Sequence, residues 1–319
     1  MRQASPLARA VSAALVVLVF SASVAARPAG TTPTAAEAMS PSQPPEQIRQ
    51  LRIKSETIWT HPVDASGNLG EGYRTTYVAY DPDGNVIEQT SYNPDGTVAQ
   101  RLLNNYDERG FLLEATSQGQ AEFENSRTVF AYDGERMAES TSYSTDGDVL
   151  VEVEYQYDSG DRLTATLTEY PGLGMSQRIE IEHDDSQDAV RVTGYDSQGR
   201  VLAQSETLQD TEGRPIQSTA FLPDGSIASV MSYTYDSDGA LLSMLVEDAD
   251  GNTLQTVESV YDSEGRQTES TYSDLAAGLE HRFEFEYDED GAVTVERTYN
   301  RLDEPVSEMR HVYEYYDDE

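Results

Sequence analysis

From about residue 51 onward, apolar and polar residues alternate one by one in short runs. Leu279, His281, Phe283, Phe285 and Tyr287 fall on one side of such a run, with Glu280, Arg282, Glu284 and Glu286 between them. Val149, Val151, Val153, Tyr155 and Tyr157 form another, set against Glu152, Glu154 and Gln156. Alternation of period two marks a strand with one covered face and one wet face. No long stretch after residue 50 keeps a helical period. Between the runs, turn signals recur every 12 to 14 residues, as at Gly213, Gly225, Gly239, Gly251 and Gly265. Turns this closely spaced predict consecutive antiparallel strands.

Alternate turns share a stricter pattern with a stride of 26 residues. One register position holds Tyr80, Tyr106 and Tyr132, then, after a one-residue slip, Tyr157, His183, Gln209, Tyr235, Tyr261, Tyr287 and Tyr313. An acid follows each time, from Asp81 and Asp107 to Asp288 and Glu314, and Gly84, Gly110, Gly213, Gly239, Gly265 and Gly291 stand four residues after the register position. A fixed period of this length means repeated units that bury their apolar faces against their neighbours. The expected fold is all-β: an antiparallel meander of about twenty short strands built from 26-residue two-strand repeats, forming a single curled sheet or open shell. The turn residues have a local reason. Asp bonds backbone groups two residues on, and Gly takes the positive φ that ends a type I turn with a G1 bulge. Turns without that glycine, at Arg136 and Gln187, are expected to be distorted, with Gly134 and Gly160 off register beside the slip.

The segments Tyr155-Gln-Tyr157-Asp158, Tyr233-Thr-Tyr235-Asp236-Ser-Asp-Gly239 and Tyr261-Asp262-Ser-Glu-Gly265-Arg266 resemble the YD repeat of RHS and wall-associated proteins. The similarity covers about residue 51 to the end. In large members of that family the repeats coil into a β-shell around a cargo. Here the repeats run almost to the last residue and the usual closing motif is missing, so the resemblance implies an exported repeat module without cargo.

The beginning of the chain changes character. Arg2 and Arg9, the apolar run Val11–Phe20 and the small residues Val24-Ala25-Ala26 read as a signal peptide over residues 1–26. Residues 27–48, rich in Pro, Ala, Ser and Thr, read as a disordered leader. Residues 49–319 form the repeat domain. There is no cysteine, so neither a lipid anchor nor a disulfide is available.

Charge narrows the partners. The chain carries −37, and removing the first 26 residues takes away two arginines and leaves −39. Such a field repels nucleic acid and anionic membranes. Twenty of the basic residues are arginine and only Lys54 is lysine, and repeated acidic faces also discourage association between sheet edges.

Two columns invite a ligand. Asp81 with Asp83, Asp236 with Asp238, Asp248 with Asp250, and Asp288 with Asp290 set paired carboxylates around tight bends, which would suit calcium. Turn chemistry already accounts for both Asp and Gly, and no distal bidentate glutamate completes a calcium loop. The tyrosine column could stack on sugars. Its plainer role is to cap the apolar face near each turn, with the hydroxyl in water. His61, His183, His281 and His311 are scattered, and no nucleophile elbow or phosphate loop is present. No cofactor and no enzymatic activity are expected. The reading that follows is an exported scaffold binding a protein or a glycan at the cell surface or in the periplasm. The alternatives are a calcium- or salt-stabilised adhesive element and an outer-membrane β-barrel. Short turns on both sides and a final Glu319 speak against the barrel.

Overall fold

A computed structural model describes residues 44–64, 66–121 and 124–317. The expected signal peptide and most of the expected leader lie outside these residues. The first element is a helix, α1 (Pro45–Gln50), with proline at its start, Glu46 in its first turn and Arg49 in its last. Pro pre-sets the opening φ, and the two charges complement the helix dipole. This corrects the leader boundary. Residues 45–48 are helical, and Ile48 is only 1% exposed. Six residues are too few to show a helical period, which is why the pattern missed them.

Twenty strands follow. They are β1 (Ile53–Pro62), β2 (Tyr73–Tyr80), β3 (Val86–Tyr92), β4 (Val98–Tyr106), β5 (Leu112–Gly119), β6 (Ser126–Asp133) and β7 (Arg136–Tyr143). Next come β8 (Val149–Tyr157), β9 (Leu163–Tyr170), β10 (Met175–Asp184), β11 (Ala189–Asp196), β12 (Val201–Gln209), β13 (Pro215–Phe221) and β14 (Ile227–Tyr235). The last are β15 (Leu241–Asp248), β16 (Thr253–Tyr261), β17 (Gln267–Asp274), β18 (Leu279–Tyr287), β19 (Val293–Asn300) and β20 (Pro305–Tyr315).

Each strand pairs antiparallel with its successor, and β20 returns to β1, from Ile53 opposite Tyr315 to Pro62 opposite Ser307. The sheet is a closed barrel. The expectation of a curled sheet or open shell is therefore corrected. Most hairpins carry a bulge beside the turn, as between Thr234 and Tyr235 or Val260 and Tyr261. Bulges add twist and bend the sheet, and closure satisfies the backbone groups that β1 and β20 would otherwise leave as free edges. Twenty strands about 4.8 Å apart, tilted as a closed barrel requires, make a ring roughly 40 Å across if round. The extensive contacts run between sequential neighbours and across the β20–β1 pair.

The turns after even-numbered strands form one rim and those after odd-numbered strands the other. On the first rim, Gly84 N–H donates to Asp81 O and Asp81 N–H to Asn85 O, with Gly84 at φ 86°. That is a type I turn closed by a G1 bulge. Where the register glycine is missing, Gly134 takes the left-handed conformation beside Arg136, at φ 67°, and an aspartate takes it elsewhere, Asp161 at φ 63° and Asp188 at φ 48°. Aspartate tolerates it better than most residues because its short side chain bonds locally.

The two faces of the wall differ. On β8, Leu150, Glu152, Glu154 and Gln156 are exposed, while Val149, Val151, Val153, Tyr155 and Tyr157 are half-buried. Side chains converge on the concave side of a ring and splay on the convex side. The tyrosine face is thus the inner one. A packed strip of Tyr233, Met244, Val246 and Val257 lies on it, and α1 rests on the same face against Ile53, Val78 and Tyr80.

Candidate functional site

The rim of the even-numbered turns repeats one link at eight of its ten register positions, the exceptions being Tyr80 and Gln209. The Tyr106 hydroxyl donates to Val86 O, Tyr132 to Leu112 O, Tyr157 to Met137 O and Tyr235 to Pro215 O. Tyr261 donates to Leu241 O, Tyr287 to Gln267 O and Tyr313 to Val293 O, always a residue twenty positions earlier. Each ring therefore lies sideways and ties its own hairpin to the one before. This corrects the expectation that the hydroxyls lie in water. His183 keeps the link, with Nε2 3.0 Å from Leu163 O. Tyr80 has no earlier hairpin to reach, and its hydroxyl donates to Glu56 instead. Tyr316 closes the series by donating to Tyr80 O.

Arginine completes the unit. The Arg214 Nε donates to Asp210 at 2.6 Å, and its guanidinium lies 5.0 Å from the centroid of the Tyr235 ring. Arg266 repeats this with Asp262 and Tyr287, and Arg136 with Asp133 and Tyr157. A cation over an aromatic face adds electrostatic attraction. Turn aspartate, following arginine and next tyrosine thus act together. Only the arginine's place after glycine was visible beforehand, without its role.

The paired aspartates are only partly free. Oδ1 of Asp81 accepts the backbone N–H of Asp83 and Asn85, and Asp236 accepts those of Asp238 and Ala240. Asp248 does the same for Asp250 and Asn252, and Asp288 for Asp290 and Ala292. Equivalent bonds hold Asp107, Asp158, Asp196 and Asp262 below the usual carboxylate range. The largest cause in each is the N–H four residues on. For Asp158, aided by the Arg162 side chain, the value falls to about 2. Among the described residues no three His, Asp or Glu side chains are arranged to hold a metal.

At the β20–β1 junction lies a cluster that spacing could not reveal, because its members are up to 255 residues apart. Nδ1 of His311 lies 2.6 Å from Glu56, and Nε2 lies 3.2 Å from Glu296 but off a hydrogen-bonding line. The imidazole is 6% exposed and links β20 to both neighbours, β1 and β19. Both nitrogens face carboxylates, so it has no hydroxyl to activate. Of the other histidines, His61 touches Gly70 O and His281 lies near Phe283. A small open cavity of about 250 Å³ sits at the β10–β11 hairpin, lined by Glu182, His183, Asp184, Arg191 and Glu206 among others.

The convex wall is ionic. Cross-strand pairs join Arg101 to Glu88, Arg127 to Glu114 and Arg191 to Glu206. A larger network joins Arg282, Arg297 and Arg310 with Glu269, Glu284, Glu286, Glu308 and Asp303 across β17–β20.

No family model and no curated protein matches the chain. Among solved structures it is similar to the Tc holotoxin pore of Photorhabdus luminescens, at 13% identity and a TM-score of 0.28. That match covers 78% of this chain and 18% of the toxin chain, so the chain spans about a fifth of that protein. It is also similar to porin-like proteins from Bacteroides uniformis (11% identity, TM-score 0.37, 82% and 98% of the two chains) and Bacteroides vulgatus (11%, 0.30, 69% and 96%). With every TM-score below 0.5, these likenesses carry no weight for the fold or its use.

Proposed function

We propose that the chain is an exported, non-enzymatic β-barrel built from YD-type repeats, the barrel alternative and not the open binding sheet. The pairing of β20 with β1 carries this reading, because a closed ring offers no free sheet edge and encloses a lumen. An even number of antiparallel strands in nearest-neighbour order, each seven to eleven residues long, is the plan of outer-membrane barrels. That supports a place in the outer membrane. Among the described residues no helix is long and apolar enough to span a bilayer, which says nothing of strands.

One observation favours a second placement. A lipid-facing wall is an apolar band, whereas the convex face here exposes Glu139, Glu152, Glu154, Glu182 and Glu258. That chemistry suits a barrel surrounded by water, with its lumen lined by tyrosine, aliphatic and hydroxyl side chains. Envelope fractionation separates the two. Retention in the membrane pellet until detergent is added supports the outer-membrane placement, and release of folded protein without detergent supports the aqueous one. Solution scattering that shows a flat or elongated sheet with no hollow would sink both.

A further inference from the structure

Side-chain hydrogen bonds between distant parts of the chain converge on one place. Gln47 Nε2 donates to Gly291 O, Arg52 to Asp317 O, Ser55 to Glu314, and Tyr316 to Tyr80 O, while His311 joins Glu56. The Arg52, Ser55 and His311 contacts cross the β20–β1 junction, and those of Gln47 and Tyr316 flank it on either side. Every other strand pair is joined by a short connection and can re-form locally. The β20–β1 pair closes through the whole chain, and the entropy lost grows with the length of the loop closed. The junction is thus the pair most in need of side-chain help.

α1 supplies part of it from the inner face. Ile48 is buried against Ile53, Val78 and Tyr80, with Tyr313 packed on the same cluster. The helix also runs so close to the β2–β3 turn that a Cβ on Gly84 would collide with Pro45 O. With Gln47 on the β18–β19 turn, α1 reaches turns on both sides of the junction. We infer that α1 is a clasp that holds the ring shut at the β20–β1 pair, so that releasing α1 loosens this seam before any other part of the wall. This rests on the barrel reading.

Hydrogen exchange on the mature chain tests it. Ile48→Asp should raise exchange in β1 and β20 at least about tenfold while β8 to β14 stay unchanged. Ile48→Ala should give a smaller effect of the same pattern if the aspartate variant does not fold. The chain has no cysteine, so Thr57→Cys with Val312→Cys, directly opposite across the junction, can be oxidised to lock it. That lock should restore protection in the Ile48→Asp background. Equal loosening in all strands, or no change in β1 and β20, would overturn the clasp. If β1 and β20 already exchange freely in the unaltered protein, the barrel reading itself fails.

Discussion

Replacing Tyr287 by phenylalanine isolates the hydroxyl from the ring. In the structure that hydroxyl donates to Gln267 O at 2.6 Å, and Arg266 sits 5.1 Å from the ring centroid. Phenylalanine keeps the ring and its attraction for Arg266 but removes one hydrogen bond, a net loss of about 1 kcal/mol. Alanine also removes a half-buried ring, about 2 kcal/mol more given the cost of truncating fully buried aromatics. For a domain of this size about 1 kcal/mol moves Tm by about 2 °C. The phenylalanine variant should therefore melt about 2 °C early and the alanine variant about 6 °C. Urea unfolding followed by circular dichroism gives the free energies. Fluorescence of Trp59, the lone tryptophan and a β1 residue, reports the junction separately. Tyr143→Phe, on the opposite rim, is the control and should be neutral. If Tyr287→Phe is also neutral, the hydroxyl is wet and the tie between hairpins is refuted.

Gly265→Val forces a β-branched residue to φ 77°, with an expected loss of about 1–3 kcal/mol in the same urea assay. Acid should weaken the barrel in a defined window. The turn carboxylates have folded pKa values below their unfolded ones, so their contribution is full above about pH 4 and is lost as pH falls toward about 2, where Asp158 titrates. Dichroism during an acid titration checks this, and a transition centred near pH 6 would contradict it. Calcium should raise Tm no more than magnesium at equal ionic strength, since turn aspartates such as Asp81 and Asp236 already accept two backbone N–H groups each. A calcium-specific rise of several degrees would reinstate the paired aspartates as a site.

The hairpins were legible because their causes are local. A period of two residues, an aspartate and a glycine set strand, cap and bulge within a few positions, so the turn at Asp262–Gly265 could be read without its surroundings. The tyrosine hydroxyls were not legible, because the Tyr261 partner is a backbone carbonyl on another hairpin, and a carbonyl leaves no mark in a sequence. Closure was hidden for a related reason. Nothing in β1 or β20 announces that Glu56 and His311 meet, and their contact exists only once the ring is complete. The glutamates of the convex face were visible throughout, but only the ring shows that they face outward.

The tyrosine ties between successive hairpins point backward by twenty residues, and the contacts peculiar to the junction, such as Tyr316 to Tyr80, sit in the terminal elements. Girth and closure are therefore independent variables. Duplicating or deleting one internal 26-residue unit would add or remove a hairpin, widen or narrow the ring by two strands, and leave β1, β20 and α1 facing the same partners. A lineage of such chains could change bore by unequal recombination between repeats without redesigning the join. Sizes should then come in steps of two strands.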